Sequence, residues 1–179
     1  YDTEVSEYGC ITHDTYDFLK ASPDGINTKR GNPRYGRLVE VKNPVSRKLT
    51  GIPKKDYWIQ MQHQMEVCDL NECDFLETIF KSYDNENEFT NDGSFTKTRD
   101  GKRKGIIIRY YDNKEPIYEY APLNLSKQNF DIWYNETMEK NKKLTWIENI
   151  YWYLEDISIV LVTRNNKWYN KALPKMIET

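Results

Sequence analysis

Asp24 stands in the turn string Ser22-Pro23-Asp24-Gly25, and Glu40 follows in Leu38-Val39-Glu40-Val41-Lys42. Those two acids and the lysine are the residues of this chain best equipped for chemistry. Two carboxylates meeting at one point hold a hard divalent cation such as Mg²⁺ or Mn²⁺, which prefers oxygen donors. A main-chain carbonyl, here that of Val41, adds a ligand with no demand on the side chain. A lysine beside such a site steadies or helps deprotonate a water. Together these are the minimum equipment for cutting a phosphodiester by metal-assisted attack.

The elements around them must place the acids correctly. Arg37 to Lys42 reads as a strand that Asn43-Pro44 ends. Alternate side chains of a strand share a face, so Glu40 and Lys42 point one way and Val39 and Val41 the other. Val5 to His13 and Tyr16 to Ala21 read as a first hairpin with His13-Asp14 in its turn, and Pro23-Asp24-Gly25 breaks the second arm. Asp24 then approaches Glu40 across the sheet.

Asp56 to Leu70 is an amphipathic helix, its inward stripe made by Trp58, Met61, Met65 and Cys68. Tyr57, Gln60 and Gln64 line a neighbouring face. Further on, Asp74 to Tyr83 is a strand, and Asp84 to Lys104 a polar loop or hairpin. Gly105 to Tyr111 and Ile117 to Tyr120 form a hairpin with Asn113 near its turn. Ser126 caps a helix to about Lys143, Ile150 to Val162 is a strand, and Asn165 to Glu178 a helix that Pro174 kinks or ends. This order predicts an α/β fold with a mixed central β-sheet flanked by helices.

The chain has 179 residues, 38% apolar and 30% charged, with 14% aromatics, so it holds enough material for one packed domain. No apolar run approaches the roughly 20 residues that span a bilayer, so no membrane partner is expected. Net charge is −2, but it is unevenly spread. Between Lys29 and Lys55 the basic residues include Arg30, Arg34, Arg37, Arg47, Lys48, Lys54 and Lys55, and the only acid is Glu40. From Glu66 to Asp92 the balance reverses, with Lys81 the lone base. Arg30, Arg34, Arg47, Lys48, Lys54 and Lys55 are therefore the candidate phosphate contacts. A solvated loop face has the same composition. Cys10, Cys68 and Cys73 are too few and too irregular for a disulfide framework, which points to a reducing, intracellular compartment. His63, Cys68 and Cys73 fit no paired zinc-ligand spacing and read as packing residues.

Taken singly, Glu-x-Lys on a strand is a common surface ion pair and Asp-Gly a common turn. In combination, Ser22-Pro23-Asp24-Gly25, Leu38-Val39-Glu40-Val41-Lys42-Asn43-Pro44 and Tyr57-Trp58-Ile59-Gln60-Met61-Gln62 resemble the YqaJ-type viral recombinase or phage lambda exonuclease family of the PD-(D/E)XK nuclease superfamily. The likeness runs from about Glu7 to Glu77. The residues Trp152, Val160, Arg164, Trp168 and Pro174 are similar to the tails of such proteins in large DNA viruses.

The resemblance implies a restriction-endonuclease-like core and a Mg²⁺- or Mn²⁺-dependent deoxyribonuclease, an exonuclease acting on double-stranded ends in recombination or repair. Asp24 and Glu40 would be its metal carboxylates, Val41 its carbonyl ligand, Lys42 its catalytic lysine and Gln60 the residue that orients lysine or water. Tyr57 would lie near the site or the DNA backbone. A single-strand annealing protein and further copies of the chain are the partners it implies, in the host cytoplasm or a viral factory. In the family, a helix with a further acid precedes the first strand. Here the chain begins almost at that strand, with Glu4 and Glu7 the nearest acids, so the expectation is one nuclease domain over 1–179 lacking that helical segment. Two rival readings keep the fold: a remnant that binds nucleic acid without cutting, and a nuclease directed to RNA or to particular structures.

Overall fold

A computed structural model describes residues 2–113 and 115–178. Its elements are β1 (Val5–Ser6), β2 (Ile11–Thr12), β3 (Lys20–Ala21), β4 (Gly25–Asn27), β5 (Leu38–Lys42), α1 (Lys55–Val67), β6 (Glu72–Ser82), α2 (Glu86–Asn91), β7 (Lys104–Asp112), β8 (Glu115–Tyr120), α3 (Lys127–Lys140), β9 (Thr145–Thr163) and α4 (Asn166–Ile177). The fold is α/β, with a mixed sheet flanked by helices. Two compact units form, one from the chain up to Thr78 and from Ile157 onward, the other from Ile79 to Asp156.

In the first unit the strand order is β1-β4-β5-β6-β9. β1 with β4, and β4 with β5, are antiparallel, while β5 and β6 are parallel. Helix α1 covers the face that carries Leu38, Cys73 and Phe75. Its Met61 and Met65 are fully buried against them, and Trp58 and Cys68 pack at the margin. The stripe expected from the sequence is the one buried. A smaller cluster of Leu19, Ala21 and Val67, with Ile11 and Leu173 beside it, ties the β2–β3 hairpin, α1 and α4 together. Gln62 completes the link to α4: its amide donates to the Thr163 carbonyl at 3.0 Å and its oxygen accepts from Asn165 N–H at 2.6 Å.

The expected strand from Val5 to His13 is two short strands with different partners. β1 pairs with β4 and β2 with β3, and the chain swings between them through Gly9 at φ +66°. At Gly25 the close packing of β1 explains the residue: a Cβ there would collide with the Val5 side chain and crowd the Ser6 carbonyl. The turn before it is thus pinned by glycine on one side and by Pro23, which is buried, on the other.

In the second unit β9, β7 and β8 are neighbours, β7 antiparallel to both others, with Asn113 at φ +47° at the hairpin turn. Ser126 caps α3 by accepting from Asn129 N–H. The stretch 84–104, expected to be a polar loop or hairpin, contains α2 and, after it, an antiparallel bridge between Lys97 and Arg103. Asn85 caps the helix, and one of its residues, Phe89, is buried against Ile106 and Phe130. β9 begins at Thr145, five residues before the expected start at Ile150, because Thr145 and Trp146 extend the ladder against Tyr111 and Tyr110. Pro174 lies within α4, which continues to Ile177. Among the described residues no helix is long and apolar enough to cross a membrane.

Candidate metal and phosphate site

Glu40 lies at the centre of β5, only 1% exposed. Burying a carboxylate is costly unless its oxygens are met by donors. Lys42, two residues on and on the same face, forms an ion pair with Oε1. Gln60 of α1 donates to the same oxygen at 2.8 Å, and Gln64, one turn later, donates to Oε2 at 2.7 Å. The i, i+4 spacing puts both amides on one helix face, above the strand that carries Glu40. Gln64, expected on the same helix face as Tyr57 and Gln60 but given no role from the sequence, thus joins Gln60 at Glu40. The Gln-x-x-x-Gln spacing was the available signal.

Asp24 reaches the strand from the other direction. β4 begins at Gly25, which pairs with Val39, so Val41 lies just past the end of that ladder. Its N–H donates instead to Asp24 Oδ2 at 2.7 Å. In an extended strand the N–H and C=O of one residue point to the same side, so the Val41 carbonyl faces the edge toward which its N–H meets Asp24. Asp24 is exposed.

Tyr57, at the start of α1, has the Lys42 ammonium 5.3 Å and the Arg47 guanidinium 5.9 Å from its ring centre. Arg47 in turn pairs with Glu77 of β6, a carboxylate that is fully buried. The structure therefore brings Asp24, Glu40, Val41, Lys42, Arg47, Tyr57 and Gln60 together, and adds Gln64 and Glu77.

Arg34 goes elsewhere. It pairs with Asp74, which is in register with Val39 and so shares the opposite face of the sheet from Glu40. Arg37 joins Asp74 and Glu72 there, at 3.3 and 2.6 Å. The basic and acidic blocks of the sequence thus partly neutralise one another across β5 and β6. Arg30, Lys48, Lys54 and Lys55 are exposed, the last two at the N-terminus of α1.

The donor set suits a hard divalent cation. Asp24, Glu40 and the Val41 carbonyl offer oxygen only. Among the described residues no group of three or more His, Cys, Asp or Glu side chains gathers at one point. The structure also accounts for the residues rejected as zinc ligands. His63 Nε2 lies 3.0 Å from the Lys20 carbonyl, which can only accept, so Nε2 carries the proton and Nδ1 accepts from Tyr169 Oη at 2.9 Å. Burial pushes that phenol up to about 12. Burial, reinforced by the charge of Glu40, likewise raises the Cys73 thiol far above its ordinary range, so it stays protonated and apolar in character.

A domain model described as a YqaJ-like viral recombinase domain matches residues 1–71, a stretch that takes in Asp24, Glu40, Lys42 and Gln60 and stops short of Glu77. An uncharacterized protein of Acanthamoeba polyphaga mimivirus is 28% identical over an alignment of 211 residues. The alignment covers 97% of this chain and 38% of the viral protein, so the chain spans well under half the length of that relative.

Proposed function

We propose that this chain is a divalent-metal-dependent deoxyribonuclease with a restriction-endonuclease-like core, processing the ends of duplex DNA for recombination or repair. The observation that carries the reading is the bond from Val41 N–H to Asp24, next to a buried Glu40 that Lys42 and Gln60 share. The match of residues 1–71 to a domain described as a viral recombinase supports work on nucleic acid. Asp24, Glu40 and the Val41 carbonyl are the residues that would hold Mg²⁺ or Mn²⁺. Such a cation supplies Lewis-acid stabilisation of phosphate oxygens and makes a water more acidic. Lys42 orients that water and offers a positive charge beside it. Gln60, bound to the oxygen Lys42 also uses, fixes the lysine's resting position. The exposed Arg30, Lys48, Lys54 and Lys55 supply long-range attraction for the DNA backbone.

Linear duplex, nicked circle, single-stranded DNA and RNA, each incubated with the chain and Mg²⁺, test the substrate class. Linear duplex is expected to be degraded from its ends while the nicked circle survives longest. Equal or faster digestion of RNA would overturn the substrate assignment. A second reading, a domain that binds nucleic acid without cutting it, draws support from Glu40, whose two oxygens both already have donors. Under that reading every substrate stays intact in both Mg²⁺ and Mn²⁺.

A further inference from the structure

Glu77, which is buried, and Arg47, which is partly exposed, form an ion pair that the proposed cutting chemistry does not use. Glu77 lies in register with Lys42 on the parallel neighbour of β5, so the two side chains share the face that α1 covers. Its Oε1 pairs with Arg47 Nη2, while its Oε2 and Arg47 Nε are both buried without a hydrogen-bond partner. An arginine and a carboxylate prefer a two-pronged bond, and this one is single-pronged. The loop that bears Arg47 is tied to β6 at its start, where Thr78 Oγ1 donates to Asn43 Oδ1.

Two cations, Lys42 and Arg47, are gathered at the ring of Tyr57. Like charges repel at that spacing unless counter-charges hold them. Both counter-charges are sunk: the side chains of Glu40 and Glu77 are each 1% exposed, whereas those of Lys42 and Arg47 keep 25% and 21%. The corner therefore presents positive charge to solvent and withholds the negative charge beneath it. Guanidinium groups held this way match the oxygens of a phosphate.

We propose that Arg47, beside Lys42 and over Tyr57, is the binding site for a backbone phosphate of the nucleic acid, and that Glu77 is the positioning residue that holds Arg47 there. The proposal rests on the nucleic-acid reading above and adds which cation of the basic stretch makes the contact. It also gives a buried acid, outside the matched residues 1–71, a role through that cation.

Binding of a short fluorescein-labelled blunt duplex in EDTA, followed by anisotropy over a salt series, separates this contact from cutting. Each neutralised phosphate contributes about 0.9 to the slope of log affinity against log salt. Arg47→Met is expected to lower the slope by that amount and to weaken binding roughly ten-fold at low salt. Glu77→Gln removes a negative charge, which on electrostatics alone would tighten binding. Loss of Arg47's support predicts weaker binding instead, by a smaller factor than Arg47→Met. The double variant should then bind as Arg47→Met does. Arg47→Met alone leaves Glu77 buried without its cation and is the variant at risk of not folding. The double variant leaves neither charge and carries the slope measurement in that case. An unchanged slope without Arg47, or tighter binding by Glu77→Gln, overturns the proposal. A wild-type chain that binds no duplex at low salt overturns it together with the nucleic-acid reading. Cutting that survives in Lys42→Ala overturns the nuclease mechanism alone and leaves the Arg47 contact standing.

Discussion

Lys42→Ala is expected to slow DNA cutting by roughly 10²–10⁴-fold, the range that a positioned proton-transfer group contributes. Two features argue that the loss would come from chemistry and not from unfolding. Glu40 keeps two of its three donors when the ammonium is removed, since Gln60 and Gln64 still meet its two oxygens. Lys42 also keeps a quarter of its side chain exposed, so its replacement opens no large cavity in the cluster of Leu38, Met61 and Phe75. Initial rates on a labelled linear duplex, with a thermal melt as the check on folding, measure both. A folded variant that cuts at the wild-type rate would remove Lys42 from the mechanism.

Asp24→Ala should separate metal binding from folding more cleanly than any change at Glu40. Asp24 is exposed, and its one described bond is to Val41 N–H. Its removal should cost the fold only about 0.5–1.5 kcal/mol, the net worth of one hydrogen bond. Metal affinity should fall by more than roughly 100-fold, since even residues that merely orient a ligand are worth about 10–100-fold. Calorimetric titration of Mn²⁺ into wild type and variant reads the difference. Equal binding by the two proteins would mean that Asp24 is no ligand. Glu40→Gln is the less clear test, because Glu40 is buried beneath a lysine and two glutamines and its loss disturbs the packing of α1 on β5.

The parts of the fold legible in the sequence were those in which one element buries one continuous stripe. Met61 and Met65 announce α1, Ser126 announces α3, and the run from Leu38 to Lys42 announces β5 with its faces assigned by alternation alone. Within the stretch 84–104, α2 was not legible. α2 carries only Phe89 into the core, and its surroundings are as polar as a loop. Val5 and Ile11 are both strand formers and suggest one strand, while the change of partner between them is written only in the flexibility of Gly9.

The site divides in the same manner. Asp24, Glu40 and Lys42 were singled out from local strings and Gln60 through the family resemblance; in the structure Val41 N–H donates to Asp24, and Lys42 and Gln60 both meet Glu40 Oε1. Glu77 and Arg34 depend on register between β5 and β6, which no local string encodes. That register sends Arg34 to Asp74 on one face and brings Glu77 beside Lys42 on the other. The charge map carried a hint of it: a basic block and an acidic block of similar length, separated by one helix, are suited to pair across adjacent strands.

In the proposed function, Asp24, Glu40 and the Val41 carbonyl hold a divalent cation. A crystal of the chain soaked in Mn²⁺, with data collected at the manganese absorption edge, tests it most directly. An anomalous peak bounded by the Asp24 carboxylate, a Glu40 oxygen and the Val41 carbonyl is expected. A fully soaked crystal with no peak there, and with Glu40 still bound by Lys42, Gln60 and Gln64, would contradict it.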